Sequence, residues 1–342
     1  MSGHLRCYSF HSVKGGVGKS TLSVLTALGL AQRGAQVTLV DMDLTGTSLA
    51  DVLPLEAPAW VGKEPIATLD LLQPPTGFLS HGETRKRMDL RDELASEAIE
   101  EDPEGTEALA PKSVPFLNDF LLFATPDWDE QRDVDIRSML WRMQGVPLES
   151  LRVVPSSALP SDLDRTLPVI FDENHSGFLE GRLEYLLDAL VPEAGEAVVV
   201  VDTPPTIPGL SRAVLSLALR LTREPKHPLA DDGFMPERLQ SAHVEWTAFL
   251  VGSMDHQDIR AANRWLSQVG EEERPHVRFL INRIQEGDEQ EMQELLRDII
   301  GSEPNPLLNS PAHVKDDRSL RFFRSDSVPK IPESALAFLK EG

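Results

Sequence analysis

The sequence predicts an α/β protein built on a doubly wound, mostly parallel sheet that is flanked by helices. Three observations support this fold class. Tyr8 to Val13 alternates like a strand, a glycine-rich turn follows it, and Leu22 to Arg33 is a helix rich in Leu and Ala. Gln36 to Val40 is a second short apolar run. Ala197 to Val201 is a third, with the β-branched composition of a strand covered on both faces in a parallel sheet.

The turn between the first strand and the first helix has the composition of a phosphate-binding loop. Its residues are Lys14, Gly15, Gly16, Val17, Gly18, Lys19, Ser20 and Thr21, and all from Gly15 to Thr21 are nucleotide-binding candidates. Glycines let the backbone wrap around an anion, and the N–H groups at the helix start point at the phosphates. Lys19 would place its charge on the β- and γ-phosphates, and the Ser20 hydroxyl would ligate Mg²⁺. The strict G-x-x-x-x-G-K-[ST] pattern is broken, because Val13 occupies the first glycine position.

With Lys14 ahead of the glycines, this loop resembles that of the deviant Walker A class of P-loop ATPases, the ParA/MinD family, which reads K-G-G-x-G-K-[ST]. The resemblance implies ATP and Mg²⁺ as cofactors and a homodimer in the ATP state. It implies that Lys14 is the signature lysine, which reaches the partner's ATP and acts on transition-state charge as a trans arginine finger does. Lys19 then serves the nucleotide of its own subunit.

Two acids, Asp41 and Asp43, stand at the carboxyl end of the second strand. On an extended backbone they point the same way, but the strand is ending and only one of them needs to face the nucleotide. The family pattern, D-x-D followed by a glycine, assigns Asp43 to switch I, where it would orient the attacking water. The catalytic candidates are therefore Lys14, Lys19 and Asp43. Asp41 has two interpretations that stay open: it supports the Mg²⁺ shell, or it caps the strand.

The β-branched run that begins at Ala197 ends in Asp202. In the family this position is the Walker B acid, which holds a water ligand of Mg²⁺. Thr203 to Gly209 then resembles a switch II loop stiffened by prolines. The alternative is an ordinary buried strand whose acid caps the next helix. The phosphate-binding loop upstream favours the Walker B interpretation.

Val277 to Ile281 predicts a further strand of the same sheet, with Asn282 and Arg283 following at its carboxyl end. That end is the ligand-facing edge of an open α/β sheet. The corresponding family strand ends in an Asn whose amide can satisfy a donor and an acceptor of adenine. Asn282 is therefore the candidate for base recognition, and its alternative is a turn residue at a strand end.

The chain of 342 residues with 41% hydrophobic content is interpreted as a single P-loop domain, 1–342, with residues 55–150 as an insertion between switch I and Walker B. Within the insertion, Glu83 to Pro111 becomes strongly acidic and predicts a solvated helix and loop. Phe120 to Pro126 and Leu151 to Pro155 predict short strands that end at proline. The stretch 55–195 either carries partner specificity or is a surface elaboration.

The single cysteine, Cys7, excludes several classes of protein. It permits no intramolecular disulfide, and iron–sulfur carriers of the same superfamily need several thiolates for each site. Tyrosine kinases of this P-loop group carry a tyrosine-rich tail, whereas this sequence has two tyrosines. The first strand begins almost at the N-terminus, and no stretch of about 18 apolar residues occurs. We therefore expect a cytoplasmic protein that does not associate with membranes.

Charge argues against a nucleic-acid surface, because the formal net charge of −22 opposes binding to polyanionic DNA. A local patch could override the total: Arg318, Arg321 and Arg324 would form a basic stripe if they lay on a helix. The alternative is a solvated helix face offset by neighbouring aspartates. Glu333 to Lys340 is amphipathic but short and weakly basic, so we expect it to pack on the domain and not to bind a membrane.

The function implied by the resemblance is a Mg²⁺-dependent ATPase that dimerises with ATP, releases on hydrolysis and positions or partitions a cargo, either DNA or a protein assembly, through a stimulating partner protein. Two alternatives are kept. One is an ArsA-like targeting ATPase that carries a client in a groove formed by inserted helices. The other is a nucleotide-gated scaffold with little turnover, against which the intact Asp43 argues.

Overall fold

The computed structural model describes thirteen stretches of the chain, and every structural statement below refers to them. They are residues 3–44, 48–59, 75–101, 114–123, 136–171, 176–205, 209–222, 235–272, 274–285, 287–302, 304–309, 311–317 and 328–340.

The described residues form one large sheet and one small hairpin. The sheet strands are β1 (His4–Ser12), β2 (Val37–Asp41), β3 (Leu55–Glu56), β6 (Trp141–Met143), β7 (Leu151–Val154), β8 (Glu196–Asp202), β9 (His243–Gly252), β10 (Val277–Ile284) and β11 (Ala312–Lys315). The hairpin pairs β4 (Pro58–Ala59) with β5 (Gly77–Phe78). Strand order in the sheet is β11-β10-β9-β1-β8-β2-β7-β6-β3, and pairing is parallel from β11 to β7 and antiparallel at β6 and β3.

Helices cover both faces of the sheet. They are α1 (Lys19–Ala31), α2 (Leu49–Val52), α3 (His81–Glu101), α4 (Pro160–Phe171), α5 (Ser176–Leu190), α6 (Leu210–Thr222), α7 (Glu237–Ser241), α8 (His256–Leu266) and α9 (Glu289–Ser302). Helix α1 and the 3₁₀ segment Glu333–Leu339 pack on one face, and α5, α6, α8 and α9 pack on the other. In β8 the side chains of Val198 and Val200 enter the first core, while Val199 and Val201 enter the second. The predicted doubly wound α/β class is confirmed.

Parallel register brings the candidate site together at one edge. Phe10 of β1 and Asp41 of β2 both pair with Asp202 of β8, so three adjacent strands end at the same level. The loop after β1 and the acids after β2 and β8 therefore face one another across the carboxyl end of the sheet.

Residues 55–150 extend the edge of the sheet where they are described. β3 and β6 add antiparallel strands beyond β7, and α3 confirms the helix predicted in the acidic segment. Arg91 of α3 is buried, and its guanidinium is bound by the carboxylates of Asp119 and Asp162 at 3.0 and 2.8 Å. This ion cluster joins α3 to α4 through Asp162 and to the segment Asp119–Phe123 through Asp119. Whether 55–150 is an insertion into a single domain stays a prediction.

One predicted strand is wrong. The run from Phe120 toward Pro126 is described as far as Phe123, and there Asp119–Phe123 is a short π-helical segment. Phe116, Leu117, Phe120 and Leu121 are buried at helix-like spacing, and the Asp119 carboxylate accepts from the N–H of Phe116 at its start. A short apolar run does not distinguish a buried strand from a buried helical turn.

The remaining boundaries differ from the predictions in smaller ways. Asn282 and Arg283 lie inside β10, not beyond its end. The strand predicted at Leu151 is confirmed, and Phe338 packs into the core against Phe10 and Phe249, as expected for the 333–340 segment. The basic stripe of Arg318, Arg321 and Arg324 lies outside the described residues. Among the described helices, none is long and apolar enough to cross a membrane.

Candidate functional site

The loop from Lys14 to Gly18 connects β1 to α1 and has the backbone shape that its glycines allow. Gly16 and Gly18 adopt φ values of 82° and 87°, a region that favours glycine, and Gly18 is the N-cap of α1. A Cβ on Gly18 would lie 2.4 Å from Nδ2 of Asn282, so the loop also requires glycine there for space. The first N–H groups of α1 therefore open onto the carboxyl edge of the sheet, where they could bind phosphate.

Lys19 is buried and lies between two acids of the site. Its Nζ is 2.8 Å from Oδ1 of Asp202 and 3.8 Å from Oδ2 of Asp43. The Ser23 hydroxyl also donates to Oδ1 of Asp202 at 3.2 Å. The structure thus brings together three residues that the sequence predicted for phosphate binding, water positioning and magnesium support.

The residues at the end of β8 fit a magnesium ion. Oδ2 of Asp202 is buried and has no hydrogen-bond partner within the described stretches, so one carboxylate oxygen is left for a ligand or its water. The half-buried Ser20 follows Lys19 at the start of α1, where the family pattern places the hydroxyl ligand. Carboxylate, hydroxyl and water oxygens are the donors that Mg²⁺ prefers. The roles of Ser20 and Asp202 stay predictions.

Asp41 is fully buried and both of its oxygens are used by the protein. Oδ1 accepts from the N–H of Asp43 at 3.1 Å, and Oδ2 accepts from the N–H of Leu49 at 2.9 Å and from the Ser156 hydroxyl at 2.8 Å. Burial, and next the adjacent Asp202 charge, raise the pKa of Asp41 to about 7. Asp41 therefore joins the ends of β2 and β7 and the start of α2. Its two interpretations, support of the Mg²⁺ shell and capping of the strand, both stay predictions.

Lys14 is exposed, and its side chain pairs with an acid of α8. Its Nζ is 2.6 Å from Oδ1 of Asp258, and the two side chains are 44% and 13% exposed. The contact raises the pKa of Lys14, first through its hydrogen bond with Asp258. Asp258 lies in the first turn of α8, which is capped by Asp255. The two lysines of the loop therefore face different surroundings, one buried with acids of the site and the other exposed.

Asn282 contacts the backbone of the phosphate-binding loop. Its Nδ2 donates to the carbonyl of Val17 at 2.9 Å, and its Oδ1 accepts from the N–H of Arg283 at 2.9 Å. Arg283 has a φ of 63°, unusual for a residue with a side chain, and its Nη1 donates to the carbonyl of Gly16 at 3.3 Å. In this structure the amide of Asn282 supports the loop. Adenine recognition by Asn282 stays a prediction.

Several residues of the site were missed from the sequence. Asp258 and Ser156 reach it from distant parts of the chain, and no motif marks them. His11 lies beneath the loop, where its ring contacts the hydroxyls of Ser9 at 2.9 Å and Thr203 at 3.4 Å. Burial, and then the charge of Lys19, lower the pKa of His11 to about 3, so it is neutral. Polar residues alternate with apolar ones along β1, and this pattern was a signal from which the buried position of His11 could have been predicted.

A family model described as ParA: NUBPL iron-transfer P-loop NTPase matches residues 6–87, which span β1, the glycine loop, α1 and the acids after β2. Residues 6–87 are therefore similar to a ParA-type P-loop NTPase segment. The predicted likeness to the ParA/MinD family is confirmed. A ParA-type P-loop segment uses nucleotide and Mg²⁺ in general, in agreement with the geometry of Lys19 and Asp202.

Other similarities of the chain are either short or distant. A cytosolic Fe-S cluster assembly factor NUBP2 homolog of Culex quinquefasciatus is 56% identical over 45 residues, which are 13% of this chain and 18% of that protein. The chain thus matches less than a fifth of that relative's length. A cobyrinic acid a,c-diamide synthase from Mycobacterium smegmatis shares 16% identity at a TM-score of 0.49, covering 98% of this chain and 91% of that one. A plasmid partition protein from Borrelia burgdorferi shares 13% identity at a TM-score of 0.46, covering 99% of each chain.

Proposed function

We propose that this protein is a Mg²⁺-dependent ATPase that acts as a switch: it dimerises when ATP is bound and dissociates after hydrolysis. The observation that carries the proposal is the separation of the two loop lysines. Lys19 is buried against Asp202, whereas Lys14 is exposed and paired with an acid on the protein surface. A lysine in the Lys14 position is available to a second subunit that docks over the loop.

In the proposed reaction Lys19 leaves Asp202 and binds the β- and γ-phosphates, where its charge is countered by the nucleotide. Asp43, 3.8 Å from Lys19 in this structure, orients the attacking water. Lys14 of the partner subunit stabilises the charge that develops on the transferred phosphoryl group. Ser20 and Asp202 would hold Mg²⁺, Asp202 through a water, and the ion would neutralise phosphate charge when bound.

The proposed output is the positioning or partitioning of a cargo, with a second protein that stimulates hydrolysis, in a cytoplasmic setting. It rests on the family resemblance, because function depends on sites and not on fold alone. The net charge of −22 favours a protein cargo over DNA. A titration of nonspecific duplex binding against salt, with and without ATP, separates the two. ATP-dependent binding that weakens in a variant lacking Arg318, Arg321 and Arg324 would favour DNA.

Iron–sulfur cluster assembly, named for the matched relatives, is not the function we propose for this chain. Cys7 is its single cysteine, and it is fully buried in β1 with its pKa raised by burial. A neutral thiol inside the sheet does not ligate iron, and one cysteine per subunit does not complete a thiolate-held cluster between two subunits. Two alternatives remain. An ArsA-like carrier would be distinguished by capture of a client, and a scaffold would be distinguished by its low turnover.

The proposal is tested by measuring mass and phosphate release together. Light scattering should show a monomer with ADP and a dimer with ATP, and phosphate release should depend on Mg²⁺. Lys14→Ala should still bind ATP but lose dimerisation or lose turnover by roughly 100-fold or more. Lys330→Ala, at another site on the chain, is the matched control and should behave as wild type. Unchanged turnover in Lys14→Ala would remove the assignment.

A further inference from the structure

A group of metal-ligating side chains lies at the opposite edge of the sheet from the nucleotide site. His4 begins β1, and His243 and Glu245 begin the neighbouring strand β9. His4 pairs with His243 in the parallel register. The phosphate-binding loop follows the other end of β1, roughly 26 Å away at about 3.3 Å per residue. The group is therefore separate from the site described above.

The ligand atoms of the three side chains are close to the spacing of a metal site. One nitrogen or oxygen from each lies within 4.8 Å of the others. Oε1 of Glu245 is 3.5 Å from Nε2 of His4 and 3.6 Å from Nε2 of His243. Ligands of a tetrahedral zinc ion, each about 2.0–2.2 Å from it, are about 3.4 Å apart. The two distances from Oε1 of Glu245 are therefore close to the spacing of zinc ligands, and the side chains of His243 and Glu245 are exposed.

A second carboxylate orients His4 for such a role. Oε2 of Glu196, at the start of the neighbouring β8, lies 3.2 Å from Nδ1 of His4. A carboxylate at this distance favours the proton on Nδ1, which leaves the lone pair on Nε2. Carboxylate–histidine pairs of this kind fix the ring and tautomer of metal-binding histidines.

The Nε2 atom of His4 is buried and has no hydrogen-bond partner among the residues that the structure describes. Arg6 pairs with Oε2 of Glu196 at 3.2 Å and with Oε2 of Glu245 at 3.3 Å. Arg6 thus holds both carboxylates through Oε2, which in Glu196 is also the atom that faces Nδ1 of His4. Oε1 of Glu245 remains directed at the two imidazoles. An unsatisfied buried nitrogen next to an oriented carboxylate is a site that a cation would complete.

We propose that His4, His243 and Glu245 bind a zinc ion, with Glu196 as a positioning residue for His4. Two imidazoles and one carboxylate suit Zn²⁺, whereas Mg²⁺ and Ca²⁺ prefer oxygen donors alone. Three protein ligands leave a fourth position, which is open to water because His243 and Glu245 are 59% and 51% exposed. The site is independent of the proposed ATPase activity.

The proposal is tested on the full chain after treatment with a chelator. Zn²⁺ is titrated calorimetrically in excess Mg²⁺, which occupies oxygen-donor sites, and Co²⁺ is titrated by visible absorption. Wild type should bind one Zn²⁺, and Co²⁺ should give the intense bands of four-coordinate cobalt. The His4→Gln/His243→Gln variant should lose both signals, and Glu196→Gln should bind roughly 10- to 100-fold more weakly. His256→Gln removes an exposed histidine of α8 and should match wild type.

Each result decides the proposal. Loss of binding in the double variant, with an unchanged far-UV circular dichroism spectrum and with His256→Gln unaffected, supports the site. If wild type binds no zinc under these conditions, or if His4→Gln/His243→Gln binds it as wild type does, the proposal is overturned. Because Lys19 and Asp202 are intact in all of these variants, nucleotide binding should be the same in each.

Discussion

Nζ of Lys14 lies 2.6 Å from Oδ1 of Asp258, so the lysine that we assign to the partner's nucleotide is held by an acid of its own chain. The Lys14 side chain is 44% exposed, and ion pairs of exposed side chains are weak and are screened by salt. It can therefore exchange for a stronger partner such as a triphosphate. Asp258 therefore competes with the partner's nucleotide for Lys14, and breaking the Lys14–Asp258 contact makes dimerisation less favourable.

Removing that competition should favour the dimer. We expect Asp258→Asn to lower the ATP concentration needed for dimerisation by roughly two- to fivefold, the size of a surface ion pair. The Ser253 hydroxyl, which contacts Asp258, can still pair with the amide. Light scattering against ATP concentration measures the effect, which should shrink at high salt. Asp298→Asn removes an exposed acid of α9 and is the control. If Asp258→Asn weakens the dimer and Asp298→Asn does not, the proposed competition between Asp258 and the trans contact is contradicted.

The Lys19–Asp202 pair should also stabilise the protein without nucleotide. Both side chains are buried, and removal of one partner leaves the other charged in the core. Lys19→Met should abolish ATP binding and lower the free energy of unfolding by roughly 3–5 kcal/mol. Urea denaturation measures the loss, and Lys19→Met/Asp202→Asn should recover most of it. Equal stability of Lys19→Met and wild type would show that the pair is not formed in solution.

Asp43 should control hydrolysis and not binding. Asp43→Ala should bind ATP and remain dimeric for longer, while phosphate release falls by roughly 100-fold or more. The exposed Asp164 of α4 supplies the control Asp164→Ala, which should turn over normally. Dimer lifetime is measured by light scattering after excess ADP is added. Normal hydrolysis in Asp43→Ala would assign the water-positioning role elsewhere.

Asp41 should give the protein a specific pH dependence. Its folded pKa of about 7 exceeds the unfolded value of 3.8, so the folded state binds more protons between these values. Stability from Asp41 is thus fully present below about pH 4 and is lost as pH rises through 7, by at most about 1.4 kcal/mol for each pH unit. The free energy of unfolding of wild type minus that of Asp41→Asn should decrease from pH 5 to pH 8. Ser156→Ala keeps the titrating acid and should show the same trend as wild type. A difference in the free energy of unfolding that does not change between pH 5 and pH 8 would contradict the prediction.

The glycine loop and the strand ends were predictable because their signals are local. Gly16 and Gly18 need backbone conformations that glycine favours, and an apolar run that ends in Asp202 marks a strand and its carboxyl edge together. Adjacent parallel strands then place Lys19, Asp43 and Asp202 side by side without further information.

Contacts between distant segments were not predictable from the sequence. Asp258 reaches Lys14 because the strand order places β9, which α8 follows, beside β1. Ser156 reaches Asp41 because β7 pairs with β2. The helical turn at Phe120 depends on the fixed carboxylate of Asp119 and on core packing, neither of which an apolar run encodes. His4 and His243 likewise meet through the pairing of β1 with β9, although 239 positions separate them.

The central claim, that Lys14 acts on the nucleotide of the partner subunit, is tested most directly by mixing two inactive variants. Lys14→Ala lacks the lysine and keeps Asp43, and Asp43→Ala has the reverse defect. In the mixed dimer, the ATP bound to the Lys14→Ala subunit receives Lys14 from its partner and retains its own Asp43. Turnover in an equal mixture should recover to about a quarter of wild type, because half of the dimers are mixed and each has one complete site of two. If Lys14 acts within its own subunit, no site is complete, and a mixture as inactive as the separate variants would contradict the account.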